Sequence, residues 1–244
     1  MNLKKRKPQR DTFLASKYTL LGGFLAFLLL ICLPCKECFA KAVQEESQEI
    51  TVIMVGDMLM HKKVVNTGLQ KDGSYNFDHL FENVLSEVQG ADLAIVNQET
   101  ILGGSELGGY TGYPTFNSPY EVGDAEAKAG FDVVLFATNH ALDRGAKGIE
   151  NCLAFWRDYH PEIMITGIHD SEEDQNQIRV LEKNGIKIAI LNYTYGTNGI
   201  QMPKGKPYLV DYLSEARIRE EAAKAKEIAD FVIVCPHWGT EYSH

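Results

Sequence analysis

Four apolar runs in this chain end on side chains that can carry charge or bind a metal ion. The first, Glu49 to Val55, runs into Gly56-Asp57, with His61 four residues further on. The second, Ala91 to Val96, ends in Asn97 and Glu99. The third, in the stretch "FDVVLFATNHALDRG", stops at Asn139-His140, and Asp143, Arg144 and Gly145 follow within a turn of chain. The last, Phe231 to Pro236, ends at His237, with Glu241 shortly after. Carboxylate and amide oxygens together with imidazole nitrogens are ligands for Mn²⁺, Zn²⁺ or Fe²⁺, and Mg²⁺ is favoured where oxygens dominate. A carboxylate shared by two ions would allow two-metal chemistry on a phosphate ester. Taken singly, each signal is weak. A lone His at a strand end is more often a hydrogen-bonded structural residue, Gly-Asp is a common turn, and Asn139 can cap the helix that follows it. Recurrence carries the reading: if the strands are parallel neighbours, all four ends converge.

The elements needed to position these groups alternate along the chain. "EITVIMVGD" reads as a buried strand and "MLMHKKVVNTG" as a helix or helical turn. "FDHLFENVLSEVQ" has helical spacing at Phe77, Leu80, Phe81, Val84, Leu85 and Val88. "ADLAIVNQET" is a second strand, "LGGSELGGYTGYPTFNSP" a long loop, and a loop of that length in a compact domain is more often functional than idle. A helix ending at Gly130, the third strand, a helix over "GAKGIENCLAFWRDYH" and a fourth strand, "IMITGI", follow. "QIRVLEKNGIKIAILNYT" predicts a hairpin, because Asn184-Gly185 suits a type I′ turn with positive φ at both central residues. A charged helix, "LSEARIREEAAKAKEIA", precedes the last strand. Alternation of this kind predicts an α/β domain with a mainly parallel sheet, whose sites form at the carboxyl ends of the strands.

The net charge is −9, but residues 1–48 hold eight Lys/Arg and four Asp/Glu, leaving 16 basic and 29 acidic residues, or −13, in the remainder. An acidic body argues against a nucleic-acid partner and is compatible with a divalent cation. Six basic residues from Lys4 to Lys17 precede the uncharged stretch Thr19 to Leu33, the form of a secretory signal or a signal anchor. At about 15 residues the run is shorter than the roughly 20 that span a bilayer comfortably. Cleavage after Ala40 or Ala42 and retention as an anchor both remain open. Residues 1–48 thus read as basic N-terminus, export segment and linker, and residues 49–244 as one domain outside the cytoplasm, at the cell membrane or secreted. Cys32, Cys35 and Cys38 fall in or beside the export segment, so their C-x2-C-x2-C spacing is not read as a cluster site. Cys152 and Cys235 read as buried free thiols.

The motifs "VGDMLMH", "NQET", "ATNHALDRG" and "HWGTEY" resemble, in order, those of the CapA or poly-γ-glutamate capsule biosynthesis family, a branch of the calcineurin-like metallophosphoesterase superfamily. The resemblance runs from about Ile50 to the end of the chain. It implies a metallophosphoesterase-like α/β/β/α sandwich, incomplete at the C-terminus because the family's Gly-His-His-Pro-His motif does not occur before His244. It implies one or two divalent ions (Mn, Zn, Fe or Mg) held by Asp57, Glu99, Asn139 and His237, with His61, Asn97 and Glu241 as additional candidates. Catalytic roles would fall to His140, assisting a leaving group, and to Asp143, which would orient His140 by a hydrogen bond. Three departures from the wider superfamily are shared by this branch: Met58-Leu59 after Asp57 in place of Asp-x-His, Asn97-x-Glu99 as the second motif, and Ala141 after His140 in place of Glu. The functions implied are synthesis or export of an anionic capsule polymer such as poly-γ-glutamate, with the polymer or its membrane synthase as partner, or metal-dependent hydrolysis of phosphate esters or related bonds.

Residues 1–48 fused to a reporter that is active only outside the cytoplasm are expected to give signal. A silent reporter at good expression removes the export assignment, and N-terminal sequencing of the product separates cleavage from anchoring.

Overall fold

The computed structural model describes residues 2–5 and 48–240. The export segment, the three cysteines beside it and Glu241 lie outside the described residues. Among the described residues no helix is long and apolar enough to cross a membrane.

Two sheets carry the fold. The first has the order β1-β2-β3-β4-β5, with β1 at Asn2–Lys5, β2 at Gln48–Val55, β3 at Leu93–Asn97, β4 at Val133–Leu135 and β5 at Met164–Thr166. Strands β2 to β5 are parallel, and the register pairs Val55 with Val96, Asn97 with Leu135, and Leu135 with Thr166. The second sheet has the order β6-β7-β8, formed by β6 (Arg179–Lys183), β7 (Ile186–Thr194) and β8 (Phe231–His237). Here β6 and β7 are the antiparallel hairpin, with Asn184 at φ 51° and Gly185 at φ 75°, and β7 and β8 are parallel. Both turn residues have the positive φ that Asn-Gly predicts.

Strand β3 shows how the layers are assigned. Its side chains alternate between faces, and both faces are buried. Ala94 and Val96 join the core shared with α3 (Tyr120–Ala129) and α4 (Gly145–Tyr159), which includes Val122, Ile149, Phe155 and Trp156. Leu93 and Ile95 join a second core with Val133 and Leu135, closed by Ile186, Ile188, Ile190 and Cys235 of the facing sheet. Burial on both faces is why these strands are unbroken apolar runs. The long helix α6 (Glu215–Ile228) covers the second sheet, and the Tyr193 hydroxyl of β7 donates to its Glu221. The result is the expected α/β/β/α sandwich. Cys152 and Cys235 are free and buried, and burial raises the Cys235 thiol to about 11.

The helical spacing over residues 77–89 does not yield one helix. A 3-10 turn at Asp78–Leu80 and the short α2 (Leu85–Gly90) replace it. Asn76 Oδ1 accepts from Asp78 N at 3.0 Å, and Phe77 is fully buried against Gly68, where a Cβ would stand 2.4 Å from the ring. Those tertiary contacts outweigh helix propensity, which is a weak prior.

One helix residue is out of keeping with its surroundings. Glu126 of α3 is fully buried, and neither carboxyl oxygen has a hydrogen-bond partner. Burial raises its pKa well above the ordinary range, so it is held as the neutral acid. The unfolded chain ionises at about pH 4.3 while the folded chain keeps its proton, so this group costs stability increasingly as pH rises from there toward the folded pKa. Glu126→Met is therefore expected to stabilise the domain by about 1–3 kcal/mol near pH 7. The gain should shrink toward pH 4, as read from denaturant midpoints at pH 4, 6 and 8; a gain that is the same at all three disproves the neutral-acid assignment.

Candidate functional site

The parallel register places the ends of β2, β3 and β4 side by side, and β8 brings His237 to the same place from the second sheet. The four ends thus meet across the two sheets, rather than as four neighbours in one. Backbone bonds hold them: Met58 N donates to Asn97 O at 2.8 Å, Gln98 N to Leu135 O at 3.0 Å, and Tyr195 N to His237 O at 3.0 Å. The Thr138 hydroxyl donates to Glu99 O at 2.7 Å.

At the centre, Glu99 Oε1 lies 4.0 Å from His140 Nε2 and 3.9 Å from His237 Nε2. Asn139 Oδ1 lies 2.9 Å from His237 Nε2. Asn97 Nδ2 donates to Asp57 Oδ1 and lies 3.5 Å from His237 Nδ1. Glu99, Asn139 and His140 are buried, whereas Asp57 is exposed, so the centre opens to solvent on the Asp57 side.

His140 is held from behind. Its Nδ1 lies 2.7 Å from Asp143 Oδ2, and the Asp143 side chain is 1% exposed. A carboxylate at that distance fixes the Nδ1–H tautomer and leaves the Nε2 lone pair facing Glu99. The same Asp143 oxygen accepts from Phe116 N at 2.6 Å, and the Phe116 ring lies edge-on to His140 at 4.5 Å. This anchors the long loop, residues 101–119, over the site. Arg144 adds bonds to Thr115 O at 3.1 Å and to the Thr111 hydroxyl, and the buried Asn117 ties the loop to itself through Gly103, Gly104 and Gly109. Burial holds the His237 pKa below the usual histidine range, against the opposing pull of the Asp57 charge. His237 is therefore neutral at pH 7, the form in which imidazole binds metals.

The structure brings Asp57, Asn97, Glu99, Asn139, His140, Asp143 and His237 together. His61 is exposed, and its ring lies edge-on to Phe116 at 5.2 Å, the ring that also packs on His140. Sequence reasoning missed Asn198, whose Oδ1 accepts from Asn139 Nδ2 at 3.3 Å, and Tyr195, whose exposed ring stacks on His237 at 6.4 Å. The signal available was the glycine-rich "YGTNG" directly after a buried strand.

Among the described residues no three His, Cys, Asp or Glu side chains stand close enough to grip an ion as they are. The donors nevertheless suit one in kind: the His237 imidazole, the Glu99 carboxylate and the Asn139 amide oxygen. Ligands about 2.1 Å from a shared ion stand roughly 3–4 Å apart, close to the 2.9 and 3.9 Å separations within this set. An imidazole in the set favours Mn²⁺, Fe²⁺ or Zn²⁺ over Mg²⁺.

Fold and site together define an α/β/β/α sandwich with a polar, histidine-bearing centre at its strand ends. The chain matches, over residues 51–244, the family described as bacterial capsule synthesis protein PGA_cap. It belongs to that family. It is 25% identical over 253 residues to the capsule biosynthesis protein CapA of Bacillus anthracis, covering 99% of this chain and 59% of that protein. It is 27% identical over 176 residues to the PGA biosynthesis protein CapA of Bacillus subtilis (strain 168), covering 66% of this chain and 46% of that protein. The chain thus spans about half to three-fifths of the length of these relatives. A solved structure from Staphylococcus aureus, named as a 5′-nucleotidase in complex with alpha-ketoglutarate, matches 80% of this chain and 38% of its own at 15% identity. Its TM-score of 0.46 is too low to carry weight.

Asp143→Asn takes the charge off the one oxygen that serves both His140 and Phe116 and puts an amide NH2 in place of the other oxygen. The substitution is expected to cost about 1.5–3 kcal/mol, the range for buried bonds to a charged group. In ¹⁵N spectra, His140 should lose its fixed Nδ1–H tautomer. Wild-type protein showing His140 in the Nε2–H form disproves the assignment.

Proposed function

We propose that residues 49–244 form a divalent-metal-binding domain of the capsule synthesis machinery, working at the outer face of the cell membrane on an anionic polymer such as poly-γ-glutamate. The observation that carries this reading is the convergence of Glu99, Asn139, His140 and His237 on one centre in a chain of the PGA_cap family. The names of the two Bacillus relatives support the polymer assignment. The basic, apolar N-terminus supports the location, with the membrane or the polymer synthase as its partner.

Glu99, Asn139 and His237 would hold the ion, with Asp57 and Asn97 beside them as a second oxygen-bearing pair. A bound divalent ion supplies a local positive charge and a Lewis acid. The chain's own residues supply the rest. Asp143 fixes the tautomer of His140, so that Nε2 is free to accept a proton at the centre. Phe116 and the loop it belongs to pack against the His140 ring and cover it on one side. Tyr195 walls the His237 side.

The position of His140 favours a second reading, metal-dependent hydrolysis of a phosphate ester or related bond. An imidazole oriented by a buried carboxylate, with its other nitrogen facing a candidate metal ligand, is suited to moving a proton to a leaving group.

Glu99→Gln removes a carboxylate charge from the ion's surroundings and is expected to weaken Mn²⁺ binding ten-fold or more with the circular dichroism spectrum unchanged. In a Bacillus host lacking its own CapA, the wild-type chain should restore surface polymer and Glu99→Gln should not. Wild-type protein that binds no Mn²⁺, Zn²⁺ or Fe²⁺ in calorimetry overturns the metal reading. Turnover of a phosphodiester by wild type and its loss in His140→Gln would favour the hydrolase.

A further inference from the structure

We propose that Asn192 is a positioning residue for this centre, fixing the span between the Asn139–His140 turn and His237. The inference rests on the reading of those three residues as one centre. Asn192 sits in β7, in a strand otherwise made of residues such as Ile188, Ile190 and Leu191, and is 2% exposed. A polar side chain at that depth must be bonded on both its groups or it costs the fold stability. It is: Asn192 Oδ1 accepts from Ala137 N at 2.7 Å, and Asn192 Nδ2 donates to Cys235 O at 2.9 Å.

The two partners explain what the residue does. Ala137 stands two residues before Asn139, at the end of the first sheet. Cys235 stands two residues before His237, in the second sheet. One planar amide therefore ties the segment that carries Asn139 and His140 to the strand that carries His237. Both partners are backbone groups, one only a donor and one only an acceptor, so the orientation of the amide is determined. The layer between the sheets is largely apolar, through residues such as Leu135, Ile190 and Cys235, and the polar ties from Lys183 to Asp132 and from Asn184 to Asp92 lie at the opposite end of the strands. Apolar contact sets a separation but has little directionality, whereas two hydrogen bonds on one rigid group fix both distance and register.

A second feature makes room for this tie. Gly167, just after β5, has φ +93°, and a Cβ there would stand 2.3 Å from Asn192 Oδ1 and 2.4 Å from Ala137 N. The glycine leaves open the space the Asn192–Ala137 bond occupies. Gly167 is itself held through its carbonyl, which accepts from Asp211 N at 3.1 Å.

Asn192→Asp keeps the size and the acceptor toward Ala137 and removes the donor toward Cys235. In the metal-free protein, the ring signals of His237 and the side-chain amide signals of Asn139 should move, while the ring of His79, far along the chain from these segments, should stay in place. With metal, Mn²⁺ affinity should fall ten-fold or more, and the visible absorption bands of the Co²⁺-loaded protein should shift, a change that loss of stability alone does not produce. A folded variant with unmoved His237 and Asn139 signals and Mn²⁺ affinity within two-fold of wild type overturns the proposal. If wild type binds no ion, the metal reading fails by itself, and the metal-free signals still decide the role of Asn192. If the variant does not fold, hydrogen exchange in wild type decides: a strongly protected Ala137 amide supports the tie, and a freely exchanging one overturns it.

Discussion

Strands β3 and β4 are buried on both faces, and most of the molecule is arranged around that fact. Alternate residues of β3 commit to different cores, Ala94 and Val96 beneath the helices and Leu93 and Ile95 against the second sheet. Slipping by one residue would exchange the two sets and spoil both cores at once, so the register is strongly determined. With the register fixed, the carboxyl ends of β2, β3 and β4 are level. The polar residues that follow, Asp57, Glu99, Asn139 and His140, turn into the crevice where the strands stop.

Polar groups held at that depth have to be bonded, and the bonds make the crevice stiff. Asp143 serves a ring and a backbone amide with one oxygen, Asn117 closes the glycine-rich loop on itself, and Thr138 ties one strand end to the next. His169 shows the same economy away from the site. It bridges Asp174 at 3.1 Å and Asp211 at 2.7 Å; burial pulls its pKa down, and the two carboxylates outweigh this and raise it. Glu126 is a counter-example, a carboxyl with no partner on either oxygen that survives because it stays protonated.

Charge gives the centre its proposed purpose. The body is strongly acidic, so an anionic polymer would be repelled from most of its surface. A divalent ion among Glu99, Asn139 and His237 would create a local site of opposite sign. Tyr195, exposed and stacked on His237, lies at the open edge of the crevice.

The sequence by itself determined the alternation of strands and helices, the Asn184-Gly185 turn and the residue types at each strand end. All of these are written in local patterns: helical spacing, turn chemistry, apolar runs that stop at polar groups. It also determined, through four motifs in order, the family. The breaking of residues 77–89 into a 3-10 turn and a short helix was not legible, because the cause is Phe77 meeting Gly68 across space. Nor did the sequence show that His61 faces Phe116, or that Asn198 bonds to Asn139, since both follow from how loops return over the strand ends. Only the tertiary structure decided that β8 reaches the site from the second sheet, and that Asn192, a buried polar residue of β7, joins the two sheets. Contacts between residues far apart in the chain depend on the packing of whole layers, and no local pattern of residues encodes them.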